Sequence, residues 1–204
     1  ILESDWTGLA EETLRLLDGH QGRLGIHGPF WGFTIDSREP EVRAVVTRRF
    51  LQGLDVCAAV RATHVVIHSP CTTGGYNHRG LYPGDAEQRV ANVRETLGPV
   101  LSRAADMGVT LMLENIEDID PTDRAQLCEA LDWQALALSV DTGHAHYAHT
   151  STGAPPVDFF IRAAGARLGH VHLQDSDGYA DRHWQLGQGT ILWPSVFDAI
   201  RETG

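Results

Sequence analysis

His27, His68, Glu114, Asp141 and His172 each stand at or near the end of a short apolar run, in GIH, VVIH, LMLE, LSVD and GHVH. Three further candidates follow in polar segments: His144, three residues after Asp141 in VDTGHAH, and Asp181 and His183 in DRH. Imidazoles mixed with carboxylates suit zinc, manganese or iron, whereas magnesium and calcium favour oxygen donors alone. The expected cofactor is therefore a divalent metal ion, zinc or manganese. Glu114 carries the most weight, because a carboxylate after Leu-Met-Leu on a buried strand is costly unless a cation or metal meets it. Asp181 and His183 can chelate one ion if their segment is extended, since alternate side chains then point the same way.

Other residues are weighed against blander roles. Gly28 and Pro29 turn the chain after His27, so Phe30 and Trp31 are candidates for an apolar wall over a substrate. Asn115 is placed to orient Glu114 or touch substrate, and Trp184 is a further loop candidate for substrate binding. His64 begins its strand and reads as structural or exposed; His170 reads as a buried, hydrogen-bonded histidine below the site. His146 and His149 read as solvated loop residues, and Asp175 and Asp177 as turn residues. A Ser-His-Asp hydrolase is disfavoured, because no GxSxG elbow occurs and Ser69 precedes Pro70. Cys71 follows His68 closely but has no basic neighbour to lower its pKa.

The elements that must position these residues alternate along the chain. Helical patterns over about 6–17, 41–60, 85–107, 122–131, 157–164 and 194–202 separate five short strands rich in Val, Leu and Ile. Apolar strands separated by helices predict a parallel sheet covered by helices, with every C-terminal strand end at one edge. A flat sheet would spread five strand-end ligands over about 20 Å, whereas a closed barrel gathers them round one mouth. The expected fold is α/β, a (β/α)8 TIM barrel truncated in this sequence, lacking the first strand and the last strands; residues 1–204 read as one incomplete domain.

Composition narrows the partners. With 27 acidic against 16 basic residues and a net charge of −11, the chain repels phosphate backbones, so nucleic acid is disfavoured and a small molecule expected. No apolar run reaches the roughly 18 residues of a membrane span. Three widely spaced cysteines without a CxxC pair argue against a disulfide framework and for a cytoplasmic location.

The segments IHGPF, VIHSP, LMLEN, VDTGHAH, HVHLQDSDG, DRHWQLGQG and GTILWPSVFDAI resemble, in order, the xylose isomerase-like TIM barrels, which include sugar isomerases and epimerases and the endonuclease IV group. The resemblance implies that Glu114, Asp141 and His172 are central metal ligands, with a further Glu expected on the strand after Gly204. In the endonuclease IV branch His27 and His68 would serve a second ion bridged by Glu114, and His144, Asp181 and His183 a third. It implies a metal-dependent sugar or sugar phosphate isomerase or epimerase, with Glu114 moving a proton next to a carbonyl. The alternatives are a zinc phosphodiesterase acting on abasic DNA and a barrel that only binds metal or sugar. Sparse basic residues and short loops favour the carbohydrate reading.

Overall fold

A computed structural model describes residues 5–203. Helix α1 (Thr7–Leu16) precedes β1 (Gly25–His27), and α2 (Pro40–Val60) leads to β2 (His64–His68). After α3 (Thr73–Asn77) and α4 (Asp85–Asp106) come β3 (Thr110–Glu114), α5 (Pro121–Leu131) and β4 (Leu136–Asp141). Helices α6 (Thr142–Thr152) and α7 (Val157–Ala164) then lead to β5 (Leu168–His172), and α8 (Trp193–Thr203) follows. The five strands form one sheet in the order β1-β2-β3-β4-β5, with every neighbouring pair parallel. This is the sequential order of strands in a (β/α)8 barrel, of which the described residues form an open segment.

Burial explains why the strands carry so few polar residues. Ile67, Leu111, Leu113 and Leu138 are fully buried between the sheet and its helices, against Leu97 and Leu101 of α4 and Phe160 and Ile161 of α7. Local chemistry sets several helix ends. Asp120 caps α5 by accepting from the Thr122 N–H, with Pro121 at the first helical position. Asp141 ends β4 and also caps α6 by accepting from the His144 N–H.

Register fixes which side chains meet. His68 pairs with Glu114, Glu114 with Ser139, and Ser139 with His170, so these four residues form one row across four strands. Asp141 and His172 form the next row towards the strand ends. The alignment of β5 depends on a register shift between Leu138 and Ser139: Leu138 pairs with Leu168, but Ser139 pairs with His170, passing over Gly169. Added to Gly169, a Cβ would lie 2.8 Å from Met112 Sδ, so glycine is what lets the strands approach there.

Two expectations are corrected here. The segment after Asp141, expected to be a loop because of its Gly, Thr and Ser, is helix α6, started by the Asp141 cap. His144 is thus a buried first-turn residue. His146 and His149 are helical and half-buried, the first hydrogen-bonded to Thr190 Oγ1 and the second to the Ala154 carbonyl. The short helix α3 was not foreseen; Thr72 caps it through the Gly75 N–H.

Candidate metal centre at the strand ends

Two carboxylates form the floor of the site. Glu114 and Asp141 are 0% exposed, at the ends of β3 and β4. Ser139 donates to Glu114 Oε2 at 2.8 Å, while Glu114 Oε1 is buried without a hydrogen-bond partner. A bare carboxylate oxygen in that position is costly unless something absent from a protein-only description meets it. His27 Nε2 lies 4.0 Å from this oxygen and His172 Nδ1 3.9 Å.

Imidazoles surround that oxygen with lone pairs already selected. The His27 Nδ1–H donates to the Gly28 carbonyl at 2.9 Å, which leaves Nε2 free to accept or ligate. His144 repeats the device: its Nδ1 meets the Asn115 carbonyl at 2.9 Å, and its Nε2 lies 3.4 Å from Asp181 Oδ2. His172 Nδ1 is 2.8 Å from Asp141 Oδ2, and His183 Nδ1 is 2.8 Å from Asp181 Oδ1. Three groups each bring one ligand atom per residue within 4.8 Å of the others: His27, His68 and Glu114; Asp141, His172 and His183; Glu114, Asp141 and His144. The eight residues singled out as ligands therefore lie in one neighbourhood, with Asp181 joined to it through His144 and His183. The orphaned Glu114 oxygen and the mixed nitrogen and carboxylate donors fit one or more divalent ions of the zinc or manganese type.

Electrostatics differ between the imidazoles. Burial pushes the His68 imidazole down to about 4, helped by repulsion from His27. For His172 the Asp141 carboxylate, then Glu114, outweighs burial and raises the imidazole to about 10. Burial opposes charge on His144 as well, but Asp181 and Asp141 raise it to about 9. Burial would raise the Asp141 carboxyl, yet the His172 hydrogen bond and the nearby His144 hold it below the usual range. The carboxylates therefore favour a positive charge on His144 and His172, and burial a neutral His68.

Gln174 escaped the sequence reading. It is buried, and its amide nitrogen donates to Asp141 Oδ1 at 3.1 Å, Asp141 Oδ2 at 3.2 Å and Asp181 Oδ1 at 3.0 Å. Its amide oxygen accepts from the His183 N–H at 2.9 Å, steadying a residue with the left-handed φ of 52°. Nothing in the sequence singles out Gln174; in the fold Gly143 clears its space, since a Cβ there would lie 2.3 Å from the Gln174 side chain. Asn115 exchanges two hydrogen bonds with the Asp141 backbone, at 2.9 and 3.0 Å, and so locks β3 to β4 beside the site.

The remaining candidates lie at the periphery. The Phe30 ring sits 4.9 Å from that of His27 and 5.3 Å from that of His68, and Trp31 beside it is 85% exposed. Trp184 is half-buried, bridged through its backbone to Asp175 and covered by the Arg182 guanidinium. Asp175 does more than serve a turn: it is fully buried and accepts from the Gly187 N–H and the Trp193 indole. His64 is buried with its ring 5.3 Å from that of His170, which is half-buried rather than fully so. Cys71 is buried and its thiol is pushed up to about 12, which removes thiolate chemistry near neutral pH.

The chain belongs to the xylose isomerase-like TIM barrel family, whose pattern matches residues 3–204. Among its relatives, the TTHB071 protein from Thermus thermophilus, solved after soaking with ZnCl2, is 34% identical, covering 94% of this chain and 71% of that one, with a TM-score of 0.70. A D-tagatose 3-epimerase-like protein shares the fold at a TM-score of 0.76 and 22% identity, covering 95% of this chain and 71% of its own. The uncharacterized protein MJ1311 of Methanocaldococcus jannaschii is 25% identical over 199 residues, which are 94% of this chain. The chain spans 64% of the length of that relative. Among the described residues, no helix is long and apolar enough to cross a membrane.

Proposed function

We propose that this chain carries the metal-binding and proton-transferring part of a sugar, or sugar phosphate, isomerase or epimerase. The observation that carries the reading is Glu114: a fully buried carboxylate with one oxygen anchored and the other unpartnered among imidazoles. Glu114, Asp141 and His172 would hold a central ion, His27 and His68 a second shared with Glu114, and His144, Asp181 and His183 a third. When bound, a divalent ion supplies Lewis acidity toward a carbonyl and its neighbouring hydroxyl, which acidifies the C–H between them. Glu114, or the further Glu expected on the next strand, would move that proton through whichever carboxylate lone pair the ion leaves free. Asn115 keeps the β3 and β4 ends in register, while Phe30, Trp31 and Trp184 supply apolar surface for a sugar ring and exclude water. Shared fold with sugar epimerases supports the class, and the excess of acidic residues disfavours a nucleic-acid substrate.

The decisive experiment assays the full-length protein, loaded with manganese or zinc, on a panel of ketoses and ketose phosphates. Turnover of a sugar that falls about 100-fold or more in Glu114→Gln is expected. Sugar turnover unchanged by that substitution would overturn the proton-transfer role. A second reading has its own support, because seven ligand-type residues fall into overlapping groups within 4.8 Å, more than one ion needs, and hydrolysis of a phosphodiester by several zinc ions calls for such a surplus. Cleavage of an abasic-site duplex without any sugar turnover would replace the first reading with this one.

A further inference from the structure

Glu114 is not alone in its row. Register sets Glu114, Ser139 and His170 side by side on β3, β4 and β5, and their polar atoms join in one chain. Ser139 Oγ is 2.8 Å from Glu114 Oε2 and 2.9 Å from His170 Nδ1, with Ser139 fully buried. A hydroxyl has one proton to give, and an ionised carboxylate only accepts. If Ser139 gives its proton to Glu114, it must accept at the other contact, so His170 Nδ1 carries a hydrogen. Nothing else in the row competes for that bond, because the neighbouring His64 ring faces His170 across 5.3 Å and its Nδ1 meets Thr63 Oγ1 at 3.2 Å.

We propose that Ser139 and His170 are positioning residues that fix which oxygen of Glu114 works: His170 donates to Ser139, Ser139 donates to Glu114 Oε2, and Oε1 is thereby the oxygen presented to the site. The proposal deepens the reading of Glu114 given above and rests on it for its functional meaning. Its structural content stands apart, because the direction of the two hydrogen bonds can be read without substrate or metal. The Gly169 register shift is part of the device: without it Ser139 would face Gly169, which has no side chain to donate, and its hydroxyl would lose the partner that fixes where it points.

Two measurements test this on the full-length protein. The first is the tautomer of His170, read from the ring-nitrogen shifts and couplings of metal-free, nitrogen-15-labelled protein, assigned with a His170→Asn control. A hydrogen on Nδ1, lost to tautomer exchange in Ser139→Ala, is expected. A neutral ring carrying its hydrogen on Nε2 alone would overturn the proposal whatever the enzyme does. The second is zinc affinity, measured against a competing chelator in Ser139→Ala, His170→Phe and His170→Asn, each first shown to melt cooperatively. Loss of support for a ligating carboxylate is expected to weaken zinc by about 10- to 100-fold in Ser139→Ala and His170→Phe. His170→Asn, whose amide places a donor near the lost Nδ1, is expected to recover most of it. Affinity unchanged in Ser139→Ala, or as poor in His170→Asn as in His170→Phe, would sink the positioning role. If the wild type takes up no zinc, the metal reading fails, and the tautomer still decides whether the chain of bonds runs as stated.

Discussion

His172 Nδ1 stands 2.8 Å from Asp141 Oδ2, across the last paired row of β4 and β5. The two side chains satisfy each other as an ion pair, at the place where the proposed ion would sit.

The shifted imidazoles give stability a pH profile with two limbs. An unfolded histidine titrates near 6.5. His172 and His144, raised to about 10 and about 9 when folded, contribute stability that is complete below pH 6.5 and is lost as pH rises through those values. His68, lowered to about 4, acts oppositely: its contribution is complete above 6.5 and lost as pH falls towards 4. Melting temperatures in excess chelator should peak near neutrality and fall on both sides. In His172→Gln the alkaline fall should become shallower, and an unchanged alkaline limb would contradict the pairing with Asp141.

Metal should stabilise the fold by mass action. Zinc at 100 times its Kd adds about 2.7 kcal/mol if it binds only the native state, a rise in Tm of several degrees for a chain of this size. Chelator should reverse the rise, and Glu114→Gln should abolish most of it. Calorimetry with and without zinc checks this, and a Tm indifferent to zinc would count against any metal at this site.

Gln174 ties Asp141 to Asp181, so its loss should be felt at both. Gly143→Ala places a methyl where the Gln174 side chain lies, and should cost about 1–3 kcal/mol by overpacking. Gln174→Leu keeps the volume but removes the donor to both carboxylates, and should cost a similar amount. Urea denaturation gives the energies. The number of zinc ions retained should fall in Gln174→Leu, because the third ligand group loses its alignment.

Arg124 tests the support beneath the site, because it also donates to the Ser139 carbonyl. Its guanidinium is 1% exposed, lies 3.3 Å from the buried Asp118 carboxylate and donates to the Leu113 carbonyl at 2.7 Å. Arg124→Met should destabilise by about 3–5 kcal/mol, because it strands Asp118 without a cation. Adding Asp118→Leu should recover part of that loss, and denaturation of both variants would show whether it does.

The class of fold was legible in the order of the residues alone, and so was the set of candidate ligands. Short apolar strands alternating with helices leave a parallel sheet as the economical solution, and a parallel sheet brings all the strand ends to one edge. That is why His27, His68, Glu114, Asp141 and His172 could be picked out singly and expected together. What only the tertiary structure decided is how they are held. Ser139 and His170, and Gln174 in its hold on Asp141, owe their roles to partners 25 to 33 residues away along the chain, and hydrogen bonds of that span leave no periodicity to read. Helix α6 was hidden for a related reason: its residues favour loops, and a carboxylate from the preceding strand starts it. Composition and period are local properties, whereas the oxygen left bare on Glu114 depends on the register of three strands and one glycine at their shift.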